Sequence, residues 1–225
     1  MATRTRGILR WSWSILWKIA LLWILLLLLT RFVPPPTSAF MLQSSYPVQQ
    51  SWVAIDELPS YIPLAVVASE DQRFPNHFGV DFTAIGNALE DYSDGEGLRG
   101  ASTISQQTAK NLFLWPGRSL IRKGLEAGLA ISLEAIWGKK RILEVYLNIA
   151  EFGKGIYGVE AASQHYFGRS ARALTSNQAA RLAVLLPNPQ QRNPNRLSAH
   201  LFERVQWIER QMRQLGDAHL NTILQ

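Results

Sequence analysis

The chain of 225 residues contains no cysteine. Disulfide frameworks and thiolate nucleophiles are thereby excluded. With only four histidines (His77, His165, His200 and His219), a zinc site on imidazole ligands is improbable as well. The lack of cysteine fits a bacterial export compartment, where free thiols are oxidised. No stretch alternates polar and apolar residues for long enough to build a substantial sheet, and no internal repeat occurs. Negative charge is missing from residues 1–39, which carry five cations and no Asp or Glu. Residues 40–225 carry 18 Lys and Arg against 17 Asp and Glu, close to neutrality. The pI near 9.8 therefore reflects the N-terminus, and bulk nucleic-acid binding is not implied.

What the chain does have is one unbroken apolar run. From Ser12 to Thr30 the only charge is Lys18, and Leu21 to Leu29 is entirely apolar. That length crosses a bilayer core. Trp11, Trp13, Trp17 and Trp23 crowd one half of it, as interfacial anchors do. Thr37-Ser38-Ala39 offers small residues for signal cleavage, yet the run exceeds the roughly 7–15 residues of a cleaved signal's apolar region. An uncleaved signal anchor is expected at residues 12–32. Arg4, Arg6 and Arg10 precede the span and only Arg31 follows closely. The positive-inside rule then puts residues 1–11 in the cytoplasm and the rest in the periplasm of a single-pass inner-membrane protein.

Pro34-Pro35-Pro36 should stop the membrane helix. A weakly patterned stalk at 33–58 and one domain at 59–225 are expected to follow. Nearly every segment of that domain reads as helix. Ser60 or Pro63 can open one that runs to Ser69, and Asp81 can cap another to about Glu90, ended by Asp91–Gly97. Thr103-Ile104-Ser105-Gln106 matches a capping box. Ser119 can cap a long helix to about Trp137, and Lys139–Ile149, Ala161–Tyr166, Asn177–Leu186 and Phe202–Leu215 complete the set.

Three segments could carry chemistry. In Ser69-Glu70-Asp71-Gln72-Arg73-Phe74-Pro75-Asn76-His77-Phe78-Gly79, two carboxylates end an apolar helical run. A carboxylate against apolar surface has its charged form desolvated and can serve as a proton acceptor. In Arg99 to Asn111, glycine and small hydroxyls lead into a helix start, where free N–H groups suit a phosphate. In Arg118 to Glu126, Glu126 lies three and four residues after Lys123 and Arg122, on one helical face. Seven cations and two anions fall between Lys110 and Arg141.

These segments, in this order, resemble the family 51 glycosyltransferases, the peptidoglycan transglycosylases. Glu70, Asp71, Phe74, His77 and Gly79 match the family's first motif. Gly100, Ser102, Thr103, Gln106 and Gln107, continuing to Lys110 and Asn111, match the second, with Ser105 where many relatives have threonine. Arg122, Lys123 and Glu126 match the third, and Arg141 to Asn148 leads into a fourth. The resemblance covers about residues 59–195. It implies a mainly α, lysozyme-like glycosyltransferase domain behind one transmembrane helix. No serine-x-x-lysine acylation motif follows, so the resemblance is to the monofunctional biosynthetic enzyme rather than to the bifunctional penicillin-binding proteins.

The resemblance further implies a reaction and roles. The 4-hydroxyl of lipid II attacks, with inversion, the anomeric carbon of a glycan carried on polyprenyl pyrophosphate, giving a β-1,4 bond. Glu70 would be the base. Lys110, Arg118 and Lys123, with Arg122 or Lys140 nearby, would meet the pyrophosphate charge. Glu126 should stay ionised among cations and orient them, which makes it a poor general acid. That separates this site from a lysozyme-like hydrolase, which must protonate a poor leaving group. Asp71, Phe74, His77, Gly100, Ser102, Thr103, Gln106, Gln107 and Asn111 would complete the substrate site, with His77 a structural hydrogen-bonder near the base. A Mg²⁺ or Mn²⁺ ion is a candidate cofactor, with Asp71 or Asp81 as ligand; no organic cofactor is expected. Expected partners are lipid II, the lipid-linked glycan, the bilayer, and other wall-synthesis or division proteins, with no nucleic acid. Phe40, Met41, Leu42 and Trp52 are candidates for dipping into the membrane.

Overall fold

The structure is a computed structural model that describes residues 2–93, 102–117 and 119–224. Two units separate, residues 1–35 and residues 36–225. In the first, helix α1 spans Ala2–Phe32. Its segment Trp11–Phe32, 22 residues, is the one described helix long and apolar enough to cross a membrane.

The second unit is mainly α-helical. Its helices are α2 (Ala39–Leu42), α3 (Tyr61–Glu70), α4 (Phe82–Ser93), α5 (Ile104–Phe113), α6 (Leu120–Ile149), α7 (Val159–Phe167), α8 (Ser176–Ala183), α9 (Ala199–Leu215) and α10 (Ala218–Leu224). Three short strands, β1 (Gln49–Gln50), β2 (Glu151–Gly153) and β3 (Ile156–Tyr157), form a sheet in the order β1-β3-β2, with β1 parallel and β2 antiparallel to β3. The compact unit thus begins at Pro36 rather than at residue 59. Val53, Ile55 and Leu58 of the expected stalk are buried. The Asn148 side chain clamps that segment, accepting from Val53 N–H at 2.8 Å and donating to Val53 C=O at 2.9 Å. A pair of long-range hydrogen bonds is invisible to local pattern.

Helix α3 is the core element that matters most. Ile62 to Ala68 are all buried, the arrangement expected of a helix that is apolar on every face. It packs against α8 and α9. A fully buried Val or Leu contributes about 1.5–3 kcal/mol, so this run fixes where α3 ends and hence where Glu70 sits. Asp71 leaves the helix with φ −161°.

Three of the expected capping residues act as caps, whereas Ser60 at the start of α3 makes no side-chain cap bond and donates to Asp217 instead. The Asp81 carboxylate accepts from Ala84 N–H at 2.9 Å, and Thr103 and Gln106 form a reciprocal capping box. Ser119 accepts from Arg122 N–H. Residues 94–97, expected to end α4, lie outside the described residues. Helix α6 is broken at Gly138, with φ 75° and ψ 170°; this is backbone that only glycine adopts readily. The break separates the two helices expected there. Helix α10 had no counterpart in the sequence reading.

Of the residues expected to enter the membrane, Met41 is buried and Leu42 is exposed. Phe40 and Trp52 are half-buried, and Trp52 lies under the Arg141 guanidinium at 5.3 Å. Other apolar residues of this unit are exposed as well, Leu120 (92% exposed), Ile121 (80%) and Phe82 most of all, with Leu125 and Trp115 about half exposed.

Candidate active site

Glu70 stands at the carbonyl end of α3 and meets α5 and α9. Gln107 of α5 donates to Glu70 Oε2 at 3.0 Å, and its own carbonyl accepts from the Tyr146 hydroxyl at 2.9 Å. Ser69 donates to Glu70 Oε1 at 3.3 Å. Arg204 of α9 donates to the Ser69 carbonyl at 3.3 Å and stacks 3.8 Å over Trp207. Burial holds the Glu70 carboxyl above its ordinary value, opposed by the bonds from Gln107 and Ser69 and by the charges of Arg204 and Lys110. The carbonyl end of a helix disfavours a negative charge in the same sense. The result is a carboxylate poised to accept a proton.

Asp71, one residue on, is differently placed. Its Oδ2 accepts from Ile104 N–H at the start of α5, at 2.9 Å, and from His77 Nε2, also at 2.9 Å. His77 Nδ1 lies 3.4 Å from Lys139 Nζ. Lys139 in turn donates to Glu134 Oε1, which also accepts from Ser105 Oγ at 2.6 Å and Gly79 N–H at 3.2 Å. Burial lowers the Lys139 ammonium from its ordinary value, and the bond and charge of Glu134 oppose that shift. Gly79 has φ 73°, and a Cβ there would come within 2.9 Å of the α6 backbone at Ile131. This buried chain ties the Asp71–Gly79 loop to α5 and α6. His77 therefore supports Asp71 rather than touching Glu70.

The cations gather across the start of α6. Lys123 Nζ donates to Glu126 Oε1 at 2.6 Å and to Ser102 Oγ at 2.8 Å, while Arg122 Nη1 reaches Glu126 Oε2 at 3.4 Å. Glu126 thus pairs with both, as an orienter should. Arg122 Nε is buried with no hydrogen-bond partner among the described residues. Lys110 is also in this field. Burial lowers its ammonium from the ordinary value, and of the neighbouring charges Glu126 and Glu70 raise it while Arg122 and Lys123 lower it further.

Two cavities flank the Glu70–Gln107 pair. One, of about 260 Å³, is lined by Glu70, Asp71, Arg73, Asp81, Ser102 and Thr103 among others. The second, of about 230 Å³, is lined by Phe40, Gln107, Lys110, Asn111, Tyr146 and Glu151 among others. Glu70 faces one and its partner Gln107 faces the other. Neighbouring spaces on either side of one base can hold two reacting molecules.

Several expected site residues make contacts within the scaffold, Thr103 while also lining the Glu70 cavity. Phe74 is fully buried beneath Lys139, 4.3 Å from its ring centre. Gln106 is spent in the capping box, and the Thr103 hydroxyl donates to Gly79 C=O at 2.6 Å. Lys140 pairs with Asp56 at 2.8 Å and donates to Leu224 C=O at 3.0 Å, away from Lys110 and Lys123. Gly100 and Arg118 lie outside the described residues. The two candidate metal ligands do not fit a resident divalent ion. Asp71 is engaged by His77 and the Ile104 amide, and Asp81 by Arg73 at 3.2 Å and the Ala84 amide. No group of three or more His, Asp or Glu able to hold a metal ion occurs among the described residues. Tyr146, Arg204, Glu134 and Lys139 were missed as site residues. Lys139 and Glu134 were counted in the charge-rich segment from Lys110 to Arg141, and Tyr146 falls in the fourth motif segment, but none was given a role there.

Comparison with known proteins agrees with this geometry. A family model described as transglycosylase matches residues 38–213. The biosynthetic peptidoglycan transglycosylase of Marinomonas sp. (strain MWYL1) is 71% identical over 225 residues, 100% of each chain. That of Shewanella frigidimarina (strain NCIMB 400) is 70% identical over 224 residues, covering 100% of this chain and 99% of the relative. That of Cronobacter sakazakii (strain ATCC BAA-894) is 50% identical over 204 residues, 86% of this chain and 85% of the relative. With a family match over residues 38–213 and a relative 71% identical along its whole length, the chain belongs to the transglycosylase family of glycosyltransferases.

Proposed function

We propose that this protein polymerises lipid II into β-1,4 glycan strands, with Glu70 as general base and Lys110, Lys123 and Arg122 stabilising the departing pyrophosphate. The observation that carries this reading is the Gln107 bridge. It joins Glu70 Oε2, which lines one cavity, to Gln107, which lines the other, at 3.0 Å. The cavity that Glu70 itself lines takes the acceptor, whose sugar 4-hydroxyl gives its proton to the carboxylate as its oxygen attacks. The cavity that contains Lys110 takes the donor end of the glycan. The bond from the anomeric carbon to the pyrophosphate oxygen breaks with inversion. The leaving group carries the charge away and needs cations more than an acid.

A glycan-cleaving enzyme of similar fold is the rival. Its general acid would have to be Glu126, which here is paired to Lys123 at 2.6 Å and to Arg122 at 3.4 Å. A carboxylate held by two cations gives up protons too readily for that role.

The lipid tails of donor and acceptor require a site at the bilayer. Helix α1 would anchor the chain in the bacterial inner membrane with its N-terminus inside, and the exposed Leu120, Ile121, Leu125 and Trp115 suit contact with lipid. Wall-synthesis or division proteins are partners in keeping with such a place. The test is incubation of the purified full-length protein with labelled lipid II in detergent. Long glycan supports the reading. No polymer, together with scission of preformed glycan, would give the site to the hydrolase.

A further inference from the structure

Helix α3 carries the base at its carbonyl end, where the last C=O groups have no further helical turn to bond them. Side chains take that place. The Ala68 carbonyl accepts from Gln72 Nε2 at 3.1 Å, and the Ser69 carbonyl accepts from Arg204 of α9 at 3.3 Å. The Gln72 carbonyl, two residues beyond Glu70, accepts from His219 Nε2 at 2.8 Å. A carbonyl can only accept, so His219 Nε2 carries its proton whether the ring is neutral or charged. Gln72 Nε2 also donates to Gln211 Oε1 of α9 at 3.1 Å. Gln72 itself lines the cavity that Glu70 lines.

His219 belongs to α10, which lies beyond residue 213, where the family match ends. The helix is short, yet it is fastened along its length. Leu220 is buried, and Lys140 donates to the Leu224 carbonyl at 3.0 Å. Just before the helix, the Asp217 carboxylate accepts from the Ser60 hydroxyl at 3.0 Å. Helix α10 packs against α6 and against the 3₁₀ turn Phe74–Asn76, which follows directly on Gln72 and Arg73. Ser60 precedes α3 and Gln72 follows it, so Asp217 and His219 hold the chain on both sides of that helix.

We infer that His219 is a positioning residue for the reaction: by holding the Gln72 carbonyl it fixes where the Glu70 carboxylate points. The inference rests on the proposed polymerase reading and deepens it. Glu70 and Gln72 are two peptide units apart, about 7 Å of chain. A shift of the Gln72 peptide is therefore passed to Glu70. Displacing a reacting group by about 1 Å can cost about 10²-fold in rate. His219 does not meet substrate. Its loss should lower turnover and leave lipid II binding as it was.

The experiment measures kcat and KM for labelled lipid II with full-length protein in detergent, each rate expressed per folded molecule by circular dichroism. His219→Phe keeps a flat ring and removes the donor. Its kcat should fall about tenfold, with KM within about twofold. His219→Gln places an amide N–H near the same point and should recover kcat to within about twofold of wild type. If His219→Phe does not fold, His219→Asn takes its place, since its shorter amide cannot reach the carbonyl, and the same fall is expected. Asp217→Asn, which still accepts from Ser60, should match wild type. An unchanged kcat without the donor overturns the inference. So does an equal loss in His219→Gln, which would assign the effect to ring packing, or a loss carried by KM alone. Wild-type protein that makes no polymer overturns the polymerase reading and this inference with it, whereas the other outcomes leave that reading standing.

Discussion

Gln107 donates to Glu70 Oε2 at 3.0 Å and cannot turn over, because its carbonyl is taken by the Tyr146 hydroxyl at 2.9 Å. Burial raises the Tyr146 phenol well above its ordinary value, so it stays a donor at every working pH. The bond from Gln107 favours the charged form of Glu70. Gln107→Leu removes it, so the carboxyl should hold its proton more tightly. The acid limb of kcat/KM against pH is then expected to move to higher pH. Tyr146→Phe should move it less, in the same direction. An acid limb that stays in place for Gln107→Leu would show that the bridge does not tune the base.

Stability should carry the opposite mark of the same site. A carboxyl held above its unfolded-state value binds more protons folded than unfolded, so its contribution to stability falls as pH rises from the ordinary carboxyl range through the folded value. Ionised Glu70 is therefore a destabilising group at neutral pH. Glu70→Gln should raise the Tm at pH 7, and the gain should disappear below the ordinary carboxyl range. A lower Tm at pH 7 would mean that Glu70 is held by favourable contacts rather than stored as strain.

The Glu134–Lys139 pair exists because α6 breaks between its members, at Gly138. Residues five apart on a continuous helix do not share a face. Lys139→Met leaves a carboxylate that is 3% exposed without its cation and should cost about 3–5 kcal/mol in urea unfolding. Adding Glu134→Gln should recover part of the loss. Gly138→Ala should cost about 1–3 kcal/mol through backbone strain alone. Additive losses in the Lys139→Met, Glu134→Gln double variant would show that the two groups do not interact.

Lys123 was expected to meet the pyrophosphate, with Lys140 as a candidate nearby, and the two lysines differ in their contacts. Lys123 lies on Glu126 and Ser102, whereas Lys140 binds Asp56 and the Leu224 carbonyl. Lys123→Ala should lower kcat about 10²–10³-fold, as loss of a transition-state donor does. Lys140→Ala should leave it within about twofold, since an exposed pair is worth little. Equal losses in the two variants would contradict the separation.

Lys139 and Lys140 show how far sequence reaches. Caps and motif order were legible because they are local. Thr103 and Gln106 need only three residues between them, and the end of α3 follows from its apolar run. Lys140 was named for the pyrophosphate and Lys139 was not, although both follow the expected break; the partners that divide them, Asp56 and Glu134, are set by packing. Phe74 lies four residues after Glu70 and is expected as a substrate contact, but its ring is core. Gln106 likewise ends in a cap. Arg204 acts on the Glu70 segment from 135 positions away, and nothing local marks it. The family's motifs thus mix residues that act with residues that build, and only packing tells them apart.

The central claim is that Glu70 takes the proton and Asp71 does not. Its most direct test is the initial rate of labelled lipid II polymerisation by wild-type protein, Glu70→Gln and Asp71→Asn, each checked for folding by circular dichroism. Glu70→Gln should lose about 10²–10⁴-fold while remaining folded. Asp71→Asn, if folded, should lose less and keep the wild-type acid limb. Folded Glu70→Gln protein that polymerises at near wild-type rate would contradict the assignment.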